Sequence, residues 1–500
     1  MPTFVPEMSS SNPIKTLAGQ TMIYGLGTFV PRLLNYLLVP FYTRVFDEAS
    51  YGLITELYAY IAFLMVLLTY GMETAFFRFA QKYPSQDVFN NAFTLLLSST
   101  AIFFLIILMF GSQFAMLIGY GNATYIVTIM LMIVAVDALN ALPFALLRKQ
   151  QRPGRFTFLR ITNVVVNIGL NLVFLVWFRE QTTALTNQLF SSETGLVVWV
   201  FVSNLLASLL STLMLMPLLK GFSLQWNKPL LREMLVYALP ILVVGLAGMV
   251  NEVIDKILLK YLVAPEDFPM RQLGIYGANY KLGILMTLFV QMFRYASEPF
   301  FFAKAGEKKA PELFARVMHY FTITGFAIFL VVMLYIDLFK HFIGPAYREG
   351  LFIVPIILMA NLFYGIYFNL SIWYKLTDRT HHGAVLALAG AVITLLFNIL
   401  LVPVMGYAGA AWATLICYVA MAVLSFIWGQ KVYPVPYMLK EFSFFLAISL
   451  LLYAISVWLA PEQLVLRLLL NTLLMTIFAL TALKSLRKSD RAARSSEIRQ

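Results

Sequence analysis

Polar side chains share one helical face inside the first long apolar stretch of the sequence. At spacings of four, four and three residues this face carries Tyr24, Thr28, Arg32 and Asn35. Such spacing places the four side chains on one side of an α-helix. A charged side chain at membrane depth costs roughly 2.5–3.5 kcal/mol on insertion scales and usually faces a cavity or a partner. Pro31 and the polar face therefore favour a water-filled cleft over an arginine that reaches for the membrane surface.

A longer polar face lies near the middle of the chain. It steps by three or four residues through Tyr276, Tyr280, Gly283, Thr287, Gln291, Arg294 and Glu298. A continuous polar face of this length predicts a cavity wall rather than a lipid-facing helix. Tyr280, Gln291 and Arg294 are therefore predicted to contact a substrate.

The preceding apolar stretch carries two pairs of polar residues at i, i+4 spacing, Asn251–Asp255 and Glu252–Lys256. Lys256 is predicted as a cavity cation, and Asp255 as a gate or ion-coupling residue. An ion pair at the membrane interface is the equally weighted alternative, because both side chains lie near the end of the stretch.

Two carboxylates occupy matched places in a repeated motif, Glu73 and Glu298. They could form part of an inner gate or take up protons. Pairing with a basic neighbour such as Arg78 or Lys304 is a slightly favoured alternative. Another face, formed by Arg160, Asn163, Asn167 and Asn171, is more typical of hydrogen bonding between helices.

Arginine, lysine, tyrosine and asparagine around an aqueous cleft favour an anionic, hydroxyl-rich substrate. Arginine binds phosphate through its planar fork, lysine acts as a point charge, and aromatic rings stack on sugars. The sequence has no G-x-x-x-x-G-K-[ST] run and its four histidines have no metal-ligand spacing. We expect no catalytic residues, no metal and no cofactor, with H⁺ or Na⁺ as candidate coupling ions.

The elements that position these residues follow from composition. Hydrophobic residues make up 61% of the 500 and charged residues 12%, against about 45–50% and 25% in soluble domains. Lipid must cover that apolar surface, which excludes a soluble enzyme and a disordered chain. The single cysteine, Cys417, excludes a disulfide scaffold.

A membrane-crossing helix needs roughly 20 mostly apolar residues. This length criterion predicts an all-α protein with fourteen membrane-spanning helices. They lie near residues 17–40, 53–77, 91–110, 123–147, 157–178, 196–219, 234–259, 275–302, 314–339, 351–374, 384–402, 409–429, 441–460 and 464–483. Lysine and arginine concentrate in the loops on the side of the N-terminus. Both termini are therefore predicted to be cytoplasmic.

An internal repeat relates the two halves at an offset of 225 residues. Residues 51–80 and 276–305 share a Y-G start and a Y-x-x-E-x-x-F-F end. An even number of spans separates the copies, which predicts a parallel repeat of the kind that transporters use for alternating access. The predicted division is an N-lobe at 1–225, a C-lobe at 226–430, and two further spans with a basic tail at 431–500.

The stretch from Asn398 to Tyr418, NILLVPVMGYAGAAWATLICY, resembles a signature of the multidrug/oligosaccharidyl-lipid/polysaccharide exporter superfamily. The opening LLNYLLVPFYTRVFDEASYG and the loop QQRPGRF are similar to its polysaccharide transporter branch. The resemblance implies a Wzx-type flippase in the bacterial cytoplasmic membrane, which moves a polyprenyl-pyrophosphate-linked oligosaccharide to the outer leaflet. It also implies arginines in a central cavity, as in the related lipid II flippase, and Arg32 matches that pattern by its location in the first span.

The partners implied are the lipid-linked oligosaccharide and membrane lipids, with a polysaccharide polymerase and chain-length proteins as candidate protein partners and no nucleic acid. The nearest rival is an ion-coupled drug or metabolite antiporter of the same superfamily, whose cavity should be acidic for cationic drugs. A polyprenyl-dependent membrane glycosyltransferase or polymerase is a weaker rival. Its acidic pair would be Asp47–Glu48, but the loops are too short to hold an acceptor.

Overall fold

Helices dominate because lipid offers the backbone no hydrogen-bond partners, so each long apolar run must bond within itself. The computed structural model describes residues 29–189 and 194–498 together with Gly25 and Gly27, and side chains as far as Ser489. Over these residues it contains helices and no strand. Twelve of the helices are long and apolar enough to cross a membrane, or up to 13 when a bent pair counts as one span. The prediction of an all-α, multi-pass membrane protein is confirmed. The count of fourteen stays a prediction, because much of the first span lies outside the described residues.

The helices run in chain order as follows: α1 Leu38–Val45, α2 Glu48–Thr69, α3 Met72–Phe79, α4 Ser85–Leu117, α5 Thr124–Lys149, α6 Pro153–Leu172, α7 Arg179–Leu189, α8 Val197–Leu215, α9 Lys228–Leu262, α10 Pro269–Leu282, α11 Ile284–Lys304, α12 Ala310–Leu334, α13 Ile336–Phe339, α14 Val354–Leu370, α15 Ile372–Leu376, α16 His381–Met405, α17 Tyr407–Val432, α18 Leu439–Leu459 and α19 Leu464–Ile498. Residues 29–36 are also helical.

The chain divides into two units. The first holds Leu57–Leu246 and the described residues up to Phe41, and the second holds Tyr42–Glu56 and the chain from Ala247 onward. In the first unit, α5 packs against α4 and α8, and α8 also packs against α6. A buried cluster centred on Phe76, Phe89 and Met234 joins α3 and α4 to the start of α9.

The second unit is built around α14, α16 and α17, and α12 carries α18 and α19 on its surface. Polar contacts hold the last two helices: Asn471 bonds to the Leu334 carbonyl and to Ser456. Close glycine contacts join α2 to α10 in the same unit. A side chain added at Gly274 would overlap a backbone carbonyl of α2.

The repeated helices are broken at different points in the two copies. In the first copy Gly71, with φ 72°, separates α2 from α3. In the second copy α10 and α11 meet at Gly283 with a bend of 54°. The long polar face predicted over Tyr276–Glu298 therefore does not run down one straight helix.

Candidate substrate-binding sites

The first unit contains an ion pair at the carboxyl-terminal end of a membrane-spanning helix. Arg148, in the last turn of α5, pairs with Glu73 of α3. The two side chains remain 34% and 41% exposed. The guanidinium also lies 5.1 Å from the centre of the Phe77 ring, which neighbours the pair on α3. This end of α5 therefore presents a solvent-accessible, partly neutralised arginine.

Arg160 of α6 lies beside this pair and is held by aromatic rings. Its guanidinium carbon is 4.1 Å from the centre of the Phe144 ring. Two guanidiniums lie near the centre of the Phe156 ring, that of Arg160 at 5.7 Å and that of Arg148 at 5.9 Å. Both rings are buried, whereas Arg160 is exposed. Cation–π contacts of this kind contribute about 0.5–2 kcal/mol and leave the donors of the guanidinium accessible.

The surroundings of Arg160 are rich in charge. Arg32, Glu73, Asp137 and Arg148 all lie within electrostatic range of its guanidinium. We name these five side chains the N-unit cluster; it contains three arginines and two carboxylates. The cluster includes Arg32, which the sequence predicted as a cavity residue. Asn35, also predicted, is exposed on the same helix, whereas Thr28 and Tyr24 lie outside the described residues.

The second unit has an open pocket near the carboxyl-terminal end of α11. It is lined by Phe293, Arg294, Ser297, Glu298, Phe301, Phe368, Ser371, Ile372 and Lys375. The Arg294 guanidinium lies 4.2 Å from the centre of the Phe368 ring. No carboxylate among the described residues is within ion-pair distance of Arg294. Its nearest acidic neighbour in sequence, Glu298, pairs instead with Lys375 at 3.0 Å.

A second cluster lies on α9 and α10 of the same unit. The buried Asp255 carboxylate accepts hydrogen bonds from Tyr276 at 2.5 Å and from Lys256 Nζ at 3.1 Å. Lys256 Nζ also lies 4.4 Å from the centre of the Tyr280 ring and donates to the Glu252 carbonyl. The structure thus brings together three predicted site residues, Asp255, Lys256 and Tyr280.

Tyr364 of α14 lies between this cluster and the pocket. It is within electrostatic range of both Glu252 and Arg294. Its ring stacks on Tyr418 at 4.5 Å and meets Phe368 edge-on at 4.6 Å. The partly exposed rings of Tyr364 and Phe368 therefore lie beside Arg294.

Several predicted interactions have different partners in the structure. Glu73 and Glu298 do pair with cations, but with Arg148 and Lys375, which lie 75 and 77 residues away in sequence. Of the neighbours considered from the sequence, Arg78 lies over the Tyr237 ring and Lys304 pairs with Glu307. The two matched carboxylates therefore have matched partners, each at the end of the fourth span of its half.

On α9, Lys256 Nζ pairs with the adjacent Asp255 and also donates to the carbonyl of Glu252, four residues earlier. Both members of the ion pair are largely buried. On α6, Asn163 bonds to Ser211 of α8, as expected for inter-helix contacts, whereas Asn171 bonds to Asn167 of its own helix. Gln291 lies half-buried on α11.

A family model described as polysaccharide biosynthesis protein matches residues 17–305, more than half of the chain. The protein belongs to this family. A search of curated proteins found no match. Membership agrees with the superfamily that the motif around Asn398 indicates.

Solved structures with the same fold are transporters and flippases. The chain is similar to "Lipid II flippase MurJ, inward closed conformation", with a TM-score of 0.70, 13% identity, and coverage of 93% of this chain and 99% of that one. It is also similar to the MATE multidrug transporter DinF-BH, with a TM-score of 0.60, 17% identity, and coverage of 86% and 98%. A third match is the inward-facing conformation of a multidrug resistance MATE family transporter of the MOP superfamily, with a TM-score of 0.59, 14% identity, and coverage of 82% and 94%. These likenesses establish a MurJ/MATE-like fold.

The sequence reasoning missed three residues of these sites. The sequence places Arg148 at the edge of a loop, the spacing of Arg160 with three asparagines predicts helix packing, and no spacing pattern singles out Tyr364. A signal was available for the first, because Arg148 and Lys375 end equivalent spans of the repeat. Arg160 and Tyr364 depend on side-chain stacking, which spacing does not reveal.

Proposed function

We propose that this protein is a flippase for a polyprenyl-pyrophosphate-linked oligosaccharide. It would move the sugar head from the inner to the outer leaflet of the bacterial cytoplasmic membrane by alternating access, for assembly of surface polysaccharide such as O-antigen. The matches above support the general part of this proposal, a multi-pass membrane protein of a polysaccharide biosynthesis family with a flippase-like fold.

The observation that carries the proposal is the open pocket around Arg294. An arginine inside a membrane-spanning helix is expensive unless it has a partner. Arg294 is stacked on Phe368 with no described carboxylate in reach, so its planar fork is available to a phosphate. Two serines and the ion pair Lys375–Glu298 also line the pocket, so Arg294 leaves it with a net positive charge. Such a site favours an anionic substrate over a cationic drug.

In this proposal Arg32 and Arg294 bind the pyrophosphate, while Tyr280, Gln291, Asn35 and Thr28 contact sugars and Lys256 adds positive charge. The polyprenyl tail stays in lipid as the head crosses through water. Glu73, Glu298 and Asp255 are the candidates for gating or for coupling to H⁺ or Na⁺. Comparing transport with and without each ion gradient tests that assignment.

The test is genetic and biochemical. We expect Arg32→Ala and Arg294→Ala to abolish surface polysaccharide without lowering the protein level, and arginine-to-lysine variants to retain part of the activity. Normal polysaccharide in both alanine variants would contradict the cavity assignment.

Proteoliposomes separate the remaining alternatives. Translocation of labelled lipid-linked sugar without chemical change supports a flippase. Transport of drugs or small metabolites against an ion gradient would indicate an antiporter of the same superfamily. Chemical extension of the sugar would indicate a polyprenyl-dependent transferase or polymerase.

A further inference from the structure

Arg160 is exposed although it lies within the membrane-spanning helix α6. An arginine near a helix end can extend to the membrane surface, but this one is directed toward the interior of its unit. It stacks on the buried Phe144 ring and is within electrostatic range of Asp137, near the middle of α5. Its guanidinium therefore lies among the other charged side chains of the N-unit cluster, which offset part of the cost of a charge at membrane depth.

Two guanidiniums of the N-unit cluster lie near one aromatic ring. Arg160 and Arg148 both lie within 6 Å of the centre of Phe156. The two guanidiniums are within electrostatic range of each other, and repulsion between like charges is larger away from bulk water. Glu73 compensates Arg148, whereas no described carboxylate lies within ion-pair distance of Arg160. An anion that contacted both arginines would relieve the repulsion.

The hydrogen-bonding capacity of the pair supports the same conclusion. Arg148 Nε is buried and has no hydrogen-bond partner among the described residues. Arg160 is oriented by aromatic rings, which consume none of its N–H donors. Planar guanidinium donors that are fixed in place but still available match the geometry of phosphoryl oxygens.

We propose that Arg148 and Arg160 form a phosphoryl-binding subsite in the first unit, and that it takes the pyrophosphate of the substrate. This inference rests on the proposed function and adds two residues to it. Glu73 occupies only Nη2 of Arg148, so the other donors of that guanidinium are left for the pyrophosphate. The N-unit cluster carries one more positive than negative charge, so a bound anion is compensated rather than repelled.

A purely structural role for Arg160 is the competing explanation, since Asp137 needs positive charge nearby. Arg160→Gln would then harm the protein only by leaving Asp137 uncompensated. The double variant Asp137→Asn/Arg160→Gln removes both charges and would recover function. If Arg160 binds the substrate, the double variant stays defective.

The direct test is binding of farnesyl pyrophosphate to the purified full-length protein in detergent, with farnesol as the uncharged control. Loss of a charged hydrogen bond costs about 1.5–3 kcal/mol, or roughly tenfold to a hundredfold in Kd. We expect that loss in Arg160→Gln and in the double variant, and a smaller loss in Arg160→Lys. Arg155→Gln, on another face of α6, should bind like the parent. Equal binding by Arg160→Gln, or no preference of the parent for farnesyl pyrophosphate over farnesol, would overturn the subsite.

Translocation in proteoliposomes distinguishes this failure from failure of the proposed function. If the parent moves lipid-linked sugar and Arg160→Gln does so equally well, the subsite is wrong and the flippase function stands. If the parent moves no lipid-linked sugar, the proposed function fails first. Recovery of translocation in the double variant would assign Arg160 to the support of Asp137 and also overturn the subsite.

Discussion

Removing Lys260 from its buried ion pair should destabilise the second unit strongly. Lys260 Nζ, near the end of α9, lies 3.2 Å from Glu56 Oε1 of α2, and the two side chains are 15% and 0% exposed. At that distance, with an effective dielectric constant near 20, the attraction is about 5 kcal/mol. Much of it offsets the cost of taking both charges out of water. Lys260→Met keeps the cost for Glu56 and loses the attraction, so we expect a loss of about 3–5 kcal/mol.

A double-mutant cycle in detergent measures this effect. The free energy of unfolding is compared for Lys260→Met, Glu56→Gln and the double variant, which we expect to be within about 1 kcal/mol of the parent because no buried charge remains. The exposed pair Lys304–Glu307, at 42% and 52% exposure, is the matched control. Lys304→Met should cost less than about 1 kcal/mol. Equal losses from Lys260→Met and Lys304→Met would refute the reasoning.

Two further predictions concern the contact between α2 and α10 and the pH-sensitive hydrogen bonds of Asp337. Gly274→Ala forces a methyl group into the α2 backbone, so the yield of folded protein should fall sharply. Gly306→Ala, with open space around it, should give the same yield as the parent. Equal yields from the two variants would contradict the close contact between α2 and α10. Burial alone would raise the pKa of Asp337, but hydrogen bonds from Lys340 and Arg467 hold that pKa below its usual range. The stabilisation is therefore complete above the unfolded pKa of about 3.9 and is lost as the pH falls through the lower folded value. Melting temperatures between pH 6 and pH 3 should show this decline in the parent and a weaker one in Asp337→Asn. Identical profiles would show that the hydrogen bonds of Asp337 to Lys340 and Arg467 do not stabilise the protein.

The positions of the membrane spans could be predicted because the signal is local. A run of about 20 apolar residues suffices, and neighbouring helices hardly alter it. The breaks within spans could not be predicted in the same way. Gly283 and Gly71 both lie at breaks, yet Gly245 and Gly248 lie in apolar sequence and leave α9 continuous. Whether a glycine bends a helix depends on the packing around it.

The candidate sites show the same division between local and distant information. Helical spacing placed Arg294 and Glu298 on one face, and both line the pocket. The pairing of Glu298 with Lys375 joins residues 77 positions apart, and no local pattern encodes it. The repeat does carry this information, since the partner of Glu73 also ends the fourth span of its half.

The ion pairs indicate how charge inside the spans is compatible with the proposed transport cycle. Glu73–Arg148 has both partners in the first unit, and Glu298–Lys375 and Asp255–Lys256 have theirs in the second. Alternating access by rocking requires each unit to keep its internal contacts while its surroundings change. Pairs formed within a unit remain compensated throughout such a motion, so no buried charge need lose its partner. Arg160 and Arg294 differ, because each is held by a phenylalanine ring rather than by a carboxylate. A transported anion can bind such arginines and leave them again without breaking an ion pair of the scaffold, which is why substrate chemistry is best assigned to them.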